Sequence, residues 1–180
     1  MCVPEDLTKP PLPGSPAAKA SKKLGTAQAW TATAMRNMGT AQAGQLLTKW
    51  FGSNSLETTN KVKSVISSVI NVLSGPPYFR TNQEECDKPG SDGGLALAWV
   101  TPGEKNNQGR YVINICEKAV NYGCDICVVG TIVHEAAHHP TASTGDVTYD
   151  LTEIKQLQTS KALTNAENFA YFFRDLNGGM

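Results

Sequence analysis

His134-Glu135-Ala136-Ala137-His138-His139 gathers every histidine of the chain into six residues. Side chains four positions apart on a helix lie about 40° apart around its axis and about 6 Å apart along it, so His134 and His138 can grip one ion from one face. The preceding residues support such a helix, because Ile126, Val129, Ile132, Val133, Ala136 and Ala137 recur at helical spacing. A pair of solvating or capping histidines would be the plain alternative. It leaves unexplained a polar His-Glu-His set on so apolar a segment, where burial is costly unless something binds it. H-E-x-x-H on a helix is the pattern in which two imidazoles hold zinc and the intervening glutamate acts on a water.

The residues after His138 bear on the third ligand. Pro140 cannot continue a helix and pushes His139 towards extended backbone, so the spacing predicts a turn directly after the second imidazole. The run 141–145 is short and polar, and Asp146 is the first carboxylate after it. A pattern continuing x-x-G-x-x-H is excluded, since Thr141 and Thr144 stand at the positions it needs for Gly and His. Glu153 and Glu167, from a following helix, remain open as alternative third ligands.

Three stretches carry a family resemblance. His134-Glu135-x-x-His138 is followed by Thr144-Gly145-Asp146-Val147-Thr148-Tyr149 and then by Asn165-Ala166-Glu167-Asn168-Phe169-Ala170-Tyr171-Phe172. Together they resemble the aspzincin metallopeptidases, whose pattern is H-E-x-x-H, then G-T-x-D-x-x-Y-G, then N-A-D-x-x-E-Y-F. Tyr111 to Cys116 also resembles the segment that precedes the active helix there, so the likeness spans roughly residues 95 to 173. The middle motif departs from the family. Thr144-Gly145 replaces Gly-Thr, the interval to Asp146 is one residue shorter, and Asp150 replaces the closing Gly.

The resemblance implies a zinc-dependent (Zn2+) endopeptidase with His134, His138 and Asp146 as ligands. Glu135 would take the proton of an attacking water, and Tyr149 would donate its phenol to the oxyanion. In lysine-specific relatives two acids of the last motif line the pocket for the residue after the cut. Glu167 keeps the first, as a substrate-binding residue, and Ala170 replaces the second. Losing one acid weakens Coulomb selection by about 1–2 kcal/mol, so any preference for basic residues is expected to be looser or absent.

Composition fits one compact domain. The chain has 180 residues, 40% hydrophobic and 18% charged, and its formal charge of zero gives no electrostatic reason to expect nucleic acid or an anionic membrane as partner. No apolar run approaches a membrane span, and residues 1–25 lack the apolar core of a signal peptide. Their prolines and lysines predict a disordered tail or linker, leaving 26–180 as the peptidase domain. Helical spacing runs through 26–51 and 56–74, and the latter stops at Gly75-Pro76-Pro77. Short strands are expected at 78–81, 95–101 and 110–116, between loops at 89–94 and 102–109, with two C-terminal helices near 150–160 and 162–175. The expected fold is α+β, mostly helical and zincin-like, with a small antiparallel sheet beside the H-E-x-x-H helix and 95–101 as a substrate-binding edge.

Cys127 lies seven residues before His134, about 10 Å down the helix, too far to share its metal. Cys86, Cys116, Cys124 and Cys127 are read as disulfides rather than as a structural zinc or redox site, and Cys2 is left over. The resemblance implies the pair Cys86–Cys116. Disulfides point to a secreted or otherwise oxidising destination, reached as a piece of a secreted precursor or as an injected bacterial effector or toxin with a cognate immunity protein. The domain is expected to act as a monomer on protein or peptide substrates. Two alternatives stay open: a catalytically idle zinc-binding interaction module, and a zinc amidase acting on cell-wall peptides.

Overall fold

A computed structural model describes residues 10–81, 83–88, 96–121, 124–139 and 141–179. Its elements are α1 (Pro16–Ser21), α2 (Leu24–Asn37), α3 (Ala41–Phe51), α4 (Leu56–Ser74), β1 (Tyr78–Arg80), α5 (Gln83–Cys86), β2 (Ala98–Trp99), β3 (Val112–Ile115), α6 (Glu117–Asn121), α7 (Asp125–Ala137), α8 (Leu151–Ile154), α9 (Thr159–Ala162) and α10 (Ala166–Leu176). Local chemistry sets the long helices. Thr40 and Ser55 cap α3 and α4 by accepting from the N–H groups of Ala43 and Thr58. Gly52, at φ 70°, closes α3 in the left-handed conformation that glycine adopts without a steric penalty. Val62, Val65, Ile66, Val69, Val72 and Leu73 form the buried stripe of α4.

The helix α7 packs against α2, α4 and α10 and also touches the sheet. Its Val128, Val129, Ile132, Val133, Ala136 and Ala137 are all buried, which fits a helix covered nearly all round. On α10, Phe169, Phe172 and Phe173 fill the core, and the first two pack their rings on Phe51 of α3.

The sheet is α+β in character but mixed, which corrects the antiparallel expectation. Its order is β1-β3-β2, with β1 parallel to β3 (Tyr78↔Val112) and β2 antiparallel to it (Trp99↔Asn114). The long connection 81–111 allows a parallel return that a tight hairpin would forbid. Asn114 on the central strand is fully buried and ties both neighbours, accepting from Arg80 Nε at 2.6 Å and donating to the Trp99 carbonyl at 3.1 Å.

The boundary expected at residue 25 also moves. Residues 1–9 lie outside the described residues, but Pro16–Ser21 is helical. Ser15 caps this helix, Pro16 occupies a first-turn position where its missing N–H costs nothing, and Ala17 and Ala20 are buried as it packs on β1 and β3. The helix expected near 150–160 resolves into two single turns, α8 and α9. The glycine-rich loop expected at 89–94 lies outside the described residues. Cys86–Cys116 is bonded, with its cysteines buried, and Cys124–Cys127 is bonded at the start of α7, while Cys2 lies outside the described residues. Among the described residues no helix is long and apolar enough to cross a membrane.

Asp175 joins α10 to α3, accepting from Lys49 Nζ at 2.7 Å, Trp50 Nε1 at 3.0 Å and Arg174 Nη2 at 2.9 Å. Burial alone would raise its pKa, but hydrogen bonds from Lys49 and Arg174 outweigh it and hold the carboxyl below its ordinary range. Replacing Asp175 with Asn is expected to cost about 1–2 kcal/mol at pH 7 in urea denaturation. Because the native pKa is depressed, this contribution is present above the unfolded value of about 3.9 and is lost as pH falls through the native one, so wild type and variant converge in acid.

Candidate metal centre

The buried half of α7 ends at the site. His134 and Glu135 occupy its last turn, both buried, and His138 caps it. Beyond the cap the chain reverses at once. The N–H groups of Ala142 and Ser143 both reach the His139 carbonyl, and Ser143 adopts a φ of 53°, uncommon for a residue with a side chain. Thr144 then returns to the helix end, its N–H and hydroxyl both donating to the Ala137 carbonyl. Pro140, expected to force this turn, lies outside the described residues.

Three donor atoms converge. Nε2 of His134 and Nε2 of His138 lie 3.0 Å apart, and Oδ1 of Asp146 is 3.1 Å from the first and 3.2 Å from the second. The other ring nitrogens determine the tautomers. His134 Nδ1 lies 2.7 Å from Glu167 Oε2, and His138 Nδ1 lies 3.1 Å from the Thr144 carbonyl. A carbonyl and a carboxylate only accept, so both Nδ1 atoms carry protons, and in the neutral rings both Nε2 lone pairs face inward. Two lone pairs and an anionic oxygen aimed at one point call for a cation between them, and two nitrogens with one oxygen are a donor set suited to zinc. These residues fit the ion.

The electrostatics agree with that need. Burial disfavours a charged His134 ring, yet hydrogen bonds to Asp146 and Glu167 and the charge of Glu135 outweigh it and lift its pKa to about 10. Burial opposes a charged His138 too, but the Asp146 hydrogen bond carries it upward. Asp146 is held below the carboxylate range because the two imidazole bonds exceed the effect of its own burial. Burial raises Glu135, against the pull of the two histidines. The Tyr149 phenol is pushed up, first by burial and then by the charge and hydrogen bond of Asp146, so it stays a donor.

The structure also brings Tyr149 and Glu167 against His134. The ring of Tyr149 stacks on that of His134, with centroids 5.7 Å apart. Glu167 touches His134 rather than standing apart as a free acid. Glu153 is exposed on α8 and accepts from the Thr148 hydroxyl at 2.5 Å, so it does not join the donor set. His139 points the other way. It is buried, its Nδ1 accepts from the Gly103 N–H at 3.3 Å, and burial lowers its pKa to about 4, so it ties the 101–105 loop to the end of α7.

Two buried asparagines escaped the sequence reading as functional residues. Asn165 receives the Val147 N–H on Oδ1 at 2.9 Å and donates Nδ2 to the Thr148 carbonyl and to Asn168 Oδ1. Asn168 in turn donates to the carbonyls of Trp50 and Ile154. A backbone bridge runs beside them, Gly145 N–H to Thr164 O at 2.7 Å and Ala166 N–H to Gly145 O at 2.9 Å. Together these bonds moor the loop 144–149, and Asp146 with it, to the start of α10. The signal was the pair of amides three apart at a helix start, where side chains bond nearby backbone.

The aspzincin family model, described as lysine-specific metallo-endopeptidase, matches residues 36–174. The chain belongs to the aspzincin family. This aspzincin is accordingly a zinc-dependent metalloendopeptidase acting on protein or peptide substrates. Among solved structures, a zinc peptidase from Grifola frondosa shares its fold with a TM-score of 0.71 at 22% identity, over 93% of this chain and 98% of that one. No curated protein matches the chain.

Two variants test the mooring. Asp146→Ala, which removes a donor, is expected to emerge from dialysis without zinc by metal analysis. Asn165→Ala keeps all three donors but frees the loop, and its zinc affinity by chelator competition is expected to fall about 10–100-fold, the range for residues that orient metal ligands.

Proposed function

We propose that His134, His138 and Asp146 hold zinc in this aspzincin, that Glu135 is the general base and that Tyr149 steadies the developing oxyanion. The convergence of three donor atoms on one point, with every outward nitrogen already occupied, carries this reading. Zinc in such a site supplies Lewis acidity and an acidified water. Glu135 takes the proton of the attacking water and passes it to the departing amine, and its raised affinity for a proton suits both halves of that transfer. Tyr149 is 57% exposed, so its phenol can leave Asp146 and donate to the carbonyl oxygen as negative charge grows there.

Substrate has a rail to lie on. Among the described residues the outer edge of β2 pairs with no other strand, and β2 packs beside α7. An extended peptide would add to that edge by main-chain hydrogen bonds. Leu95, the start of the edge expected from sequence, lies outside the described residues.

The two disulfides fit an oxidising setting. We read the protein as secreted or delivered into such a compartment, working there as a monomeric effector against proteins of a target cell, with an immunity protein guarding the producer. The exposed Cys124–Cys127 bond supports this destination, since a reducing cytosol would open it.

Glu135→Gln is expected to keep its zinc by metal analysis while casein digestion falls about 10²–10⁴-fold, the usual weight of a positioned base. Periplasmic expression of the wild type is expected to arrest bacterial growth and that of Glu135→Gln to be harmless. Full activity in the variant would remove Glu135 from the chemistry, and a harmless wild type would remove the effector role.

A further inference from the structure

We propose that Cys124–Cys127 is a thiol-exchange site, at which a small external thiol attacks Cys127 and Cys124 departs as a thiolate held by the start of α7, while Cys86–Cys116 stays closed. This site lies apart from the metal centre and does not rest on the function proposed above.

The two disulfides differ in what governs exchange. Cys86 and Cys116 are 3% and 1% exposed, so a thiolate reaches neither sulfur while the fold around them is intact. Cys127 is exposed and Cys124 half-buried, at the opening turn of α7. The spans differ too. Cys86–Cys116 closes a separation of 30 positions and restrains the unfolded chain, whereas Cys124–Cys127 closes one of 3 and restrains it far less. A bond that is accessible and adds little to stability can open in the folded protein.

The start of α7 decides which sulfur leaves. Cys124 is the N-cap, and its Sγ accepts the Cys127 N–H at 3.2 Å. The helix is 13 residues long, so its open N–H groups and its dipole favour negative charge on this sulfur. Asp125 in the same turn opposes that charge, but Lys23 Nζ lies 2.6 Å from its carboxylate and counters it. The exposed sulfur is therefore the one attacked and the capping sulfur the one expelled.

In the first step the incoming thiolate bonds to Cys127 Sγ as the bond to Cys124 breaks, and the electron pair of that bond stays on Cys124. A second thiolate then attacks the outer sulfur of the mixed disulfide, which releases the external disulfide and leaves Cys127 as a thiolate that takes its proton from water. Two external thiols are oxidised and the cysteine pair is reduced. Opening stays local, because Val128 and Val129 of the next turn are buried and His134 lies about 10 Å beyond Cys127 along the helix.

The experiment incubates the folded wild-type protein with reduced glutathione, traps free thiols with a maleimide and reads the peptides by mass spectrometry. Cys124 and Cys127 are expected to become labelled, with the early glutathione adduct on Cys127 and with Cys86–Cys116 opening at least ~100-fold more slowly. Circular dichroism and casein digestion are expected not to change. A bond that survives until the protein unfolds, equal opening of Cys86–Cys116, an adduct confined to Cys124, or loss of helix signal on opening would each overturn the proposal.

Cys127→Ser and Cys124→Ser separate the two thiols. As pH rises, alkylation of Cys124 in the first variant is expected to reach its plateau at a lower pH than alkylation of Cys127 in the second, because the helix start favours the thiolate. Coinciding profiles would remove α7 as the holder of the leaving sulfur.

Discussion

Two imidazole lone pairs and a carboxylate oxygen, each about 3 Å from the others, repel one another unless a positive charge lies among them. The rest of the molecule serves to hold that arrangement still. His134 and Glu135 are buried on α7, so they cannot relax outward to water, and the helix is packed on several sides. The outward nitrogen of each ring is occupied by an acceptor that cannot donate, which removes the tautomer in which the rings would satisfy each other. Such a donor set invites a cation, and a cation held there would add to stability as well as to catalysis.

The two donors on α7 and the one on the loop are positioned by different physics. A helix fixes its own side chains by its repeat, so the histidines need only a well-packed α7. Asp146 sits on irregular backbone, which has no repeat to rely on. Its position is set by the bridge between Gly145 and the start of α10 and by the amide side chain of Asn165, anchored through Asn168 to Trp50 and Ile154. Glu167 lies in the same first turn of α10 and holds His134. One helix start therefore controls both the loop donor and a helix donor, and a disturbance of α10 would be felt at two sides of the donor set together.

Periodicity revealed the helices and the spacing of His134, Glu135 and His138, because both follow from a regular repeat that is written in the sequence. The stripe on α4 and the apolar run through α7 were legible for the same reason. Asp146 needed more: the turn made it the first carboxylate, its choice over Glu153 and Glu167 came from family resemblance, and the residues that hold it there make contacts across 14 to 118 positions that no local pattern announces. The parallel pairing of β1 was missed because three residues carry no sign of direction, and the ordered start of α1 because a proline reads alike at a helix entrance and in a linker. Glu167 was expected to face substrate and its contact with His134 was not foreseen, since sequence shows that an acid is present and not which group it faces.

The eight-position step from His138 to Asp146 leaves the chain little length in which to reverse and come back past the helix end. Ser143 in the left-handed region tightens the reversal, a conformation costing of order 1 kcal/mol for a residue with a side chain. That cost is offset locally by two N–H groups on the His139 carbonyl and by the double donation of Thr144 to the Ala137 carbonyl, which together satisfy acceptors that the end of α7 leaves open. Thr144 has a further part, because its own carbonyl receives the His138 Nδ1 proton. The same residue closes the helix, completes the turn and orients a donor ring, so a short loop still delivers Asp146 to within 3.2 Å of both imidazoles.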